Sequence, residues 1–169
     1  MEFLKTLFEA FNAMPFIFVG VVTGGIYNYF KRAVLMGSFK LEGTQANTTP
    51  IYCALLNNSY SPDVDNHKYL ADCAPSSFEV GGAGYSTGGA ALSSPVTAID
   101  DAGNYCKLDA TDWTLGNATI TARYGVLYSS VGAASACPLI AYFDFGADQS
   151  ASAGNFTITW ASGGILQLT

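Results

Sequence analysis

One histidine, four cysteines and a run of aspartates are the side chains with which this 169-residue chain could do chemistry. His67 would need a serine or cysteine partner at a recognisable spacing. No G-x-S-x-G occurs, and His67 follows the polar cluster Asn57–Asn66, so a turn histidine is the expectation. Asp63-Val-Asp-Asn66 opens like a calcium loop of the EF-hand type. Its fifth, sixth and twelfth positions are then His67, Lys68 and Ala74, where a ligand, a glycine and a glutamate belong. A turn is expected instead, with Asp65 or Asn66 capping a short helix over 67–71. Asp100, Asp101, Asp109 and Asp112 could supply the carboxylate pair of a glycosidase, but all four fall in turns. Water there keeps carboxylates ordinary, and solvated turn residues are expected, with a surface Ca²⁺ as the remaining metal reading.

Cys53, Cys73, Cys106 and Cys137 contain no C-x-x-C pair, which argues against zinc. Two disulfides would suit an oxidising compartment, but four cysteines allow three pairings and nothing selects one. Cys53, inside the apolar run Ile51–Leu56, reads as a buried free thiol. Gly81–Gly89 holds five glycines in nine positions. A phosphate-cradling loop wants a following helix, whereas Ala90–Ile99 reads as a strand with Pro95 at an edge or bulge. A flexible or tightly turning connection around Tyr85 is the better reading. Tyr52, Tyr60, Tyr69, Tyr85, Tyr105 and Trp113 could stack on sugars if several shared one exposed face. Asp144, in the aromatic strand Tyr142–Phe145, either faces solvent or pairs with Arg123, the one arginine after residue 40. Asn47, Asn57, Asn117 and Asn155 begin N-x-[ST] sequons that carry meaning only on a secretory route. No catalytic, cofactor-binding or metal-binding residue is therefore assigned.

The elements that would position these groups are strands. Ile51–Leu56, Val96–Ile99, Tyr105–Leu108, Thr119–Tyr128, Pro138–Phe145, Asn155–Trp160 and Gly163–Thr169 are rich in β-branched and aromatic residues and bounded by Gly, Ser, Asp or Asn. Asp100–Asn104 reads as a hairpin turn, and Leu115–Asn117, Ser129–Ala136 and Gly146–Gly154 as turns or loops. The expected fold is mainly β, an antiparallel sandwich-like domain over 26–169 with one short N-terminal helix. That helix spans Ile26–Met36, with Gly37 as its C-terminal stop and Lys31 and Arg32 toward its carbonyl end. Ile51, Leu55, Ile120, Val126, Leu139, Ile140, Phe143, Ile158, Trp160 and Leu166 are the expected core.

Residues 1–25 are different material. Phe3, Leu4, Leu7, Phe8 and Phe11 form a helical apolar stripe, and Phe16–Tyr27 carries no charge. A secretory signal lacks support, since Glu2 and Glu9 flank Lys5 and no A-x-A follows. A membrane span wants about 20 apolar residues, and the stretch after Pro15 is shorter and broken by Gly20, Gly24 and Gly25. The preferred reading is an arm that buries its apolar surface on a neighbouring subunit or protein, making few contacts with its own domain. Membrane contact is the second reading.

Charge narrows the partners. Residues 1–40 hold four cations against two carboxylates, and residues 41–169 hold three against eleven. Such an acidic body would repel a phosphate backbone, so no nucleic-acid partner is expected. Only 12% of residues are charged and half are hydrophobic, which predicts an ordered domain poor in acid–base groups.

In order, Ile26–Gly37, Ile51–Leu56, Asn58-Ser-Tyr-Ser-Pro-Asp63, His67-Lys-Tyr-Leu70, Gly84–Gly89, Ala118–Tyr124, Pro138–Gly146, Phe156–Trp160 and Gly164-Ile-Leu166 resemble small structural proteins from the virion modules of tailed bacteriophages. These are the head-decoration or tail-fibre-like proteins. The resemblance covers about residues 25–169 and leaves 1–25 as an extension. It implies a non-enzymatic virion component that assembles with itself and with other virion proteins, such as the major capsid or tail proteins. A capsid decoration or cement protein is the first expectation. A tail or tail-fibre component and a carbohydrate-binding β-module are the alternatives, and a carboxylate glycosidase is more distant.

Overall fold

A computed structural model describes residues 16–18, 23–39, 50–73 and 77–168. The fold is mainly β and sandwich-like. Its backbone is one long antiparallel ribbon, β7 (Trp113–Ser129) against β8 (Leu139–Ile158), closed by a short 3₁₀ turn over Ala134–Ala136. The run Ile51–Leu56, β3, adds to the free side of β7, and β4 (Ala90–Ala91) adds to β3. On the other side of β8 lie β1 (Phe16–Phe18), parallel to it, and β2 (Thr23–Ile26), antiparallel to it. A second sheet has the order β5 (Val96–Asp100), β6 (Tyr105–Asp109), β9 (Leu166–Leu168).

β3 shows why its sequence is apolar without alternation. Ile51, Cys53 and Leu55 point into one core, while Ala54 and Leu56 point into another. The first core lies between the large sheet and the small one, where Leu108 and Leu166 meet Leu127, Ile140 and Phe143. The second lies under the 57–70 connection and the short helix α2 (Leu70–Cys73), around Tyr60, Val126, Tyr128 and Leu139. A strand buried on both faces keeps only the β-propensity and length signals.

The first helix, α1, runs over Asn28–Leu35, shorter than the Ile26–Met36 pattern because Ile26 is spent on β2. Gly37 ends it at φ +63°, its N–H bonded to the Val34 carbonyl and that of Ser38 to the Ala33 carbonyl. This is the left-handed stop that the glycine was expected to provide. Phe30 is fully buried and meets Phe39 edge-on.

Two stretches expected as loops lie inside strands. Gly146–Gly154 belongs to β8, and Leu115–Asn117 belongs to β7. The register shift between Leu115 and Ala118 absorbs Asn117 at φ +51°, and the one between Ala118 and Ile120 absorbs Ala153 at φ +49° on the facing strand. Bulges use the same residues as turns but let the ladder resume. Between β4 and β5, Ser94 at φ +51° and Pro95 break the expected strand over 90–99 in two.

The expected core residues are buried with one exception. Trp160 is half-buried, its ring edge-on to Phe143 at 5.5 Å and its indole N–H donating to the Thr111 carbonyl. Trp160→Ala should therefore cost about 2 kcal/mol, less than the roughly 3–5 kcal/mol of a fully packed ring such as Phe143. Urea unfolding of the two alanine variants checks the order, and a larger loss at Trp160 would contradict it.

Of the proposed arm, residues 1–15 and 19–22 lie outside the described residues. Phe16–Phe18 and Thr23–Gly25, however, pair with the domain's own β8. Among the described residues no helix is long and apolar enough to cross a membrane.

Candidate functional site

The densest grouping of titratable side chains lies in the second core. Tyr27 sits where β2 passes into α1, anchored by its N–H to the Ile140 carbonyl. Its hydroxyl lies 2.7 Å from that of Tyr60, and the Tyr60 hydroxyl lies 3.0 Å from His67 Nδ1. The turn that delivers Tyr60 and His67 is built by Asp63, whose Oδ1 accepts the N–H groups of Asp65 and Asn66. Asp63 therefore heads a turn, as its sequence suggested. Neither Asp65 nor Asn66 caps the helix. Asp72 takes the N–H groups of Lys68 and Tyr69 just ahead of α2.

Burial raises the phenols of Tyr27 and Tyr60 well above their ordinary value, and pushes the neighbouring Cys73 thiol up to about 12. A general acid or base works best with a pKa near the working pH. These groups are displaced away from it and keep their protons. The set is a polar web inside a core, and among the described residues no buried side-chain polar atom lacks a partner.

The carboxylates do not converge. Asp100 closes the β5–β6 turn, accepting the Gly103 N–H, a bond that holds its pKa below the usual carboxylate range. Asp109 stands at the far end of the same hairpin, opposite Val96, with Lys107 at 3.8 Å. Four residues of strand separate the two, roughly 13 Å. A glycosidase pair stands about 5–9.5 Å apart. Asp112 accepts the Trp160 N–H and ties the start of β7 to the end of β8, while Asp101 is exposed. Among the described residues no three His, Cys, Asp or Glu side chains gather as metal ligands.

Topology also separates the aromatic residues. Tyr60 and Trp113 are buried. Tyr52 packs on Tyr128, Tyr69 hydrogen-bonds Tyr29, and Tyr85 lies over β3. They share no face on which a sugar ring could lie across several of them. Arg123 and Asp144 form the expected pair, a two-bond fork between β7 and β8 that is partly buried. Arg123 holds the Asp144 carboxyl below its usual range. All four cysteines are free thiols. Cys53, Cys73 and Cys137 are buried, and Cys106 is exposed.

The glycine run is tightly turned rather than loose. At Gly89, φ is +72° and an added Cβ would overlap the Cys53 carbonyl; at Gly82 it would overlap the Thr119 carbonyl. Backbone thus lies directly on backbone along β3 and β7. Tyr85 pins the loop down, its hydroxyl accepting the Leu55 N–H and donating to Glu79 Oε1, which also takes the Gly88 N–H. This Glu79–Tyr85–Gly88 latch escapes sequence reasoning. A tyrosine inside a glycine run is its only signal. Beside it opens a groove of 430 Å³ between Asn57, Glu79 and Gly81 on one wall and Thr119, Thr121 and Ala151 on the other. It holds no aromatic platform and no cation.

Comparison with protein-family models, characterised proteins and solved structures finds no match to this chain.

Proposed function

We propose that this chain is a non-enzymatic structural protein of a tailed-phage virion, a capsid decoration or cement protein that works in several copies. The single observation that favours an assembling role is apolar exposure. Leu35 and Ile99 are 88% and 75% exposed, with Met36, Val96 and Val131 also open, on a chain of which only 12% is charged. Contacts made by such surfaces would draw on burial at roughly 25 cal/mol per Å² rather than on ion pairs. The resemblance of the ordered motifs to small virion proteins is the ground for reading the particle as the place of assembly. The burial of Tyr60 and Trp113 gives a sugar-binding role no support.

The test is to purify particles of the virus that encodes the chain and identify their proteins by mass spectrometry, with labelled electron microscopy to separate head from tail. Presence in stoichiometric amount is expected; particles free of it would end the proposal. Because residues 23–26 belong to the sheet, the arm is tested by removing residues 1–15. That variant should stay folded and fail to join particles. His67→Ala and Asp112→Ala should leave particle titre unchanged, since losing the His67–Tyr60 bond or the exposed Asp112–Trp160 bond costs the fold only on the order of 1 kcal/mol.

A further inference from the structure

We propose that the outer stripe of α1 in one copy of this chain docks on the tip of the β5–β6 hairpin of the next, Arg32 against Asp101 and Leu35 against Ile99. Leu35 and Ile99 are the two most exposed large apolar side chains among the described residues. Each stands beside a charge, and the two charges are of opposite sign.

On α1, Lys31, Arg32, Leu35 and Met36 are all exposed and recur at the spacing that places them along one side of a helix. The other side is held to the core through Phe30. Lys31 Nζ donates to Asn28 Oδ1, while the Arg32 guanidinium has no partner among the described residues. The carboxylates select the other half of the contact. Among the described residues every Asp and Glu side chain but one accepts a hydrogen bond from its own chain. The exception is Asp101, exposed at the start of the hairpin turn and two residues beyond Ile99. Val131, another open apolar residue, lies in an uncharged loop and offers no such match.

Like patches do not fit each other. Two helices meeting would set Arg32 against Arg32, and two hairpins Asp101 against Asp101. Unlike patches remove both clashes and cover both apolar side chains. A surface ion pair adds little affinity, so its part is to choose the partner surface, and burial of Leu35 and Ile99 supplies the attraction. The contact uses side chains at the hairpin tip and leaves the β5 backbone as it is. Because α1 packs on β8 while the hairpin belongs to the small sheet, the two patches are different surfaces. Such a contact runs on from copy to copy into a ring or a filament.

This deepens the assembly role proposed above by naming one self-contact. Its test uses the purified full chain, so either proposal can fail without the other. Sedimentation velocity of the wild type should show assemblies that grow with protein concentration. Leu35→Asp and Ile99→Lys each alter an exposed side chain, and each should give a monomer with unchanged circular dichroism and melting. Mixed in equal amounts, the two variants should form a dimer and nothing larger, since one keeps the hairpin and the other the helix. Arg32→Asp and Asp101→Arg should each weaken self-association about fivefold, and the chain carrying both should recover to within about twofold of wild type. A monomeric wild type, an assembly that survives both apolar variants, a mixture that stays monomeric, or no recovery in the double charge variant would each overturn the contact. So would a monomeric wild type that floats with phosphatidylserine vesicles and no longer does so as Arg32→Asp, because the α1 stripe would then face a membrane.

Discussion

Replacing Gly89 with alanine should destabilise the fold by about 3 kcal/mol or more, while Gly81→Ala eight residues earlier should change it by less than about 0.5 kcal/mol. Both glycines lie in the same run, so composition alone would treat them alike. At Gly89 the backbone is left-handed, which costs a non-glycine residue roughly 1–2 kcal/mol. The new methyl group would also meet the Cys53 carbonyl and the Ala54 Cα on the central strand β3, both backbone atoms with nowhere to swing. Forcing them apart adds about 1–3 kcal/mol. At Gly81 nothing lies within 4 Å of the added carbon and φ is not left-handed. Urea midpoints of the two variants measure the contrast. Equal midpoints would mean that the loop does not rest on β3.

Alkali should unfold the protein cooperatively. Burial raises the phenols of Tyr27, Tyr60, Tyr85 and Tyr128 and the thiols of Cys53 and Cys73. An unfolded chain loses those protons from about pH 8.5 for thiols and about pH 10 for phenols. The native state keeps them longer, so it binds more protons than the unfolded state and stability falls as pH rises. The stabilisation is whole below about pH 8.5 and is lost as pH climbs toward the folded-state values. Each group in that window removes about 1.4 kcal/mol per pH unit. Several together overrun a typical stability of about 5–15 kcal/mol within roughly two pH units. Circular dichroism and tyrosinate absorbance, followed together from neutral pH upward, should change in one step. Smooth ionisation of all ten tyrosines near pH 10 with the fold intact would count against the buried web.

Legibility in the sequence follows from what each residue had to do. Ile51–Leu56 and the hairpin over 96–109 were readable because strand propensity and turn residues agree there. Gly146–Gly154 was not, because its small residues carry no alternating apolar signal, and the bulges of a long ribbon use the same glycine and asparagine as a chain reversal. Gly81–Gly89 was legible as a tightly turning connection between strands, with four of its glycines at positive φ. Its service as a close-lying bed on β3 and β7 depends on atoms more than 25 residues away in the chain, which no local pattern encodes. The aromatic side chains were legible as a list, and only the topology shows that Tyr60 faces His67 and Tyr27 while Tyr52 faces Tyr128. Trp160 was placed in the core by its strand, but its indole N–H needs the Thr111 carbonyl at the margin.

The pairing of the first strands with β8 also sets the order in which the chain can mature on the ribosome. Phe16 aligns with Phe156, and Ile26 with Ala141. At a synthesis rate of about 5–20 residues per second, on the order of ten seconds pass between the emergence of the early strands and that of their template. β7 and β8, joined by a short connection, can zip as soon as both have emerged, whereas the front of the chain must wait through almost the whole of translation. During that interval the strands Phe16–Phe18 and Thr23–Ile26 have no β8 to pair with and are open to chaperones or to a nascent neighbour. A strand made near the end of the chain thus closes the earliest.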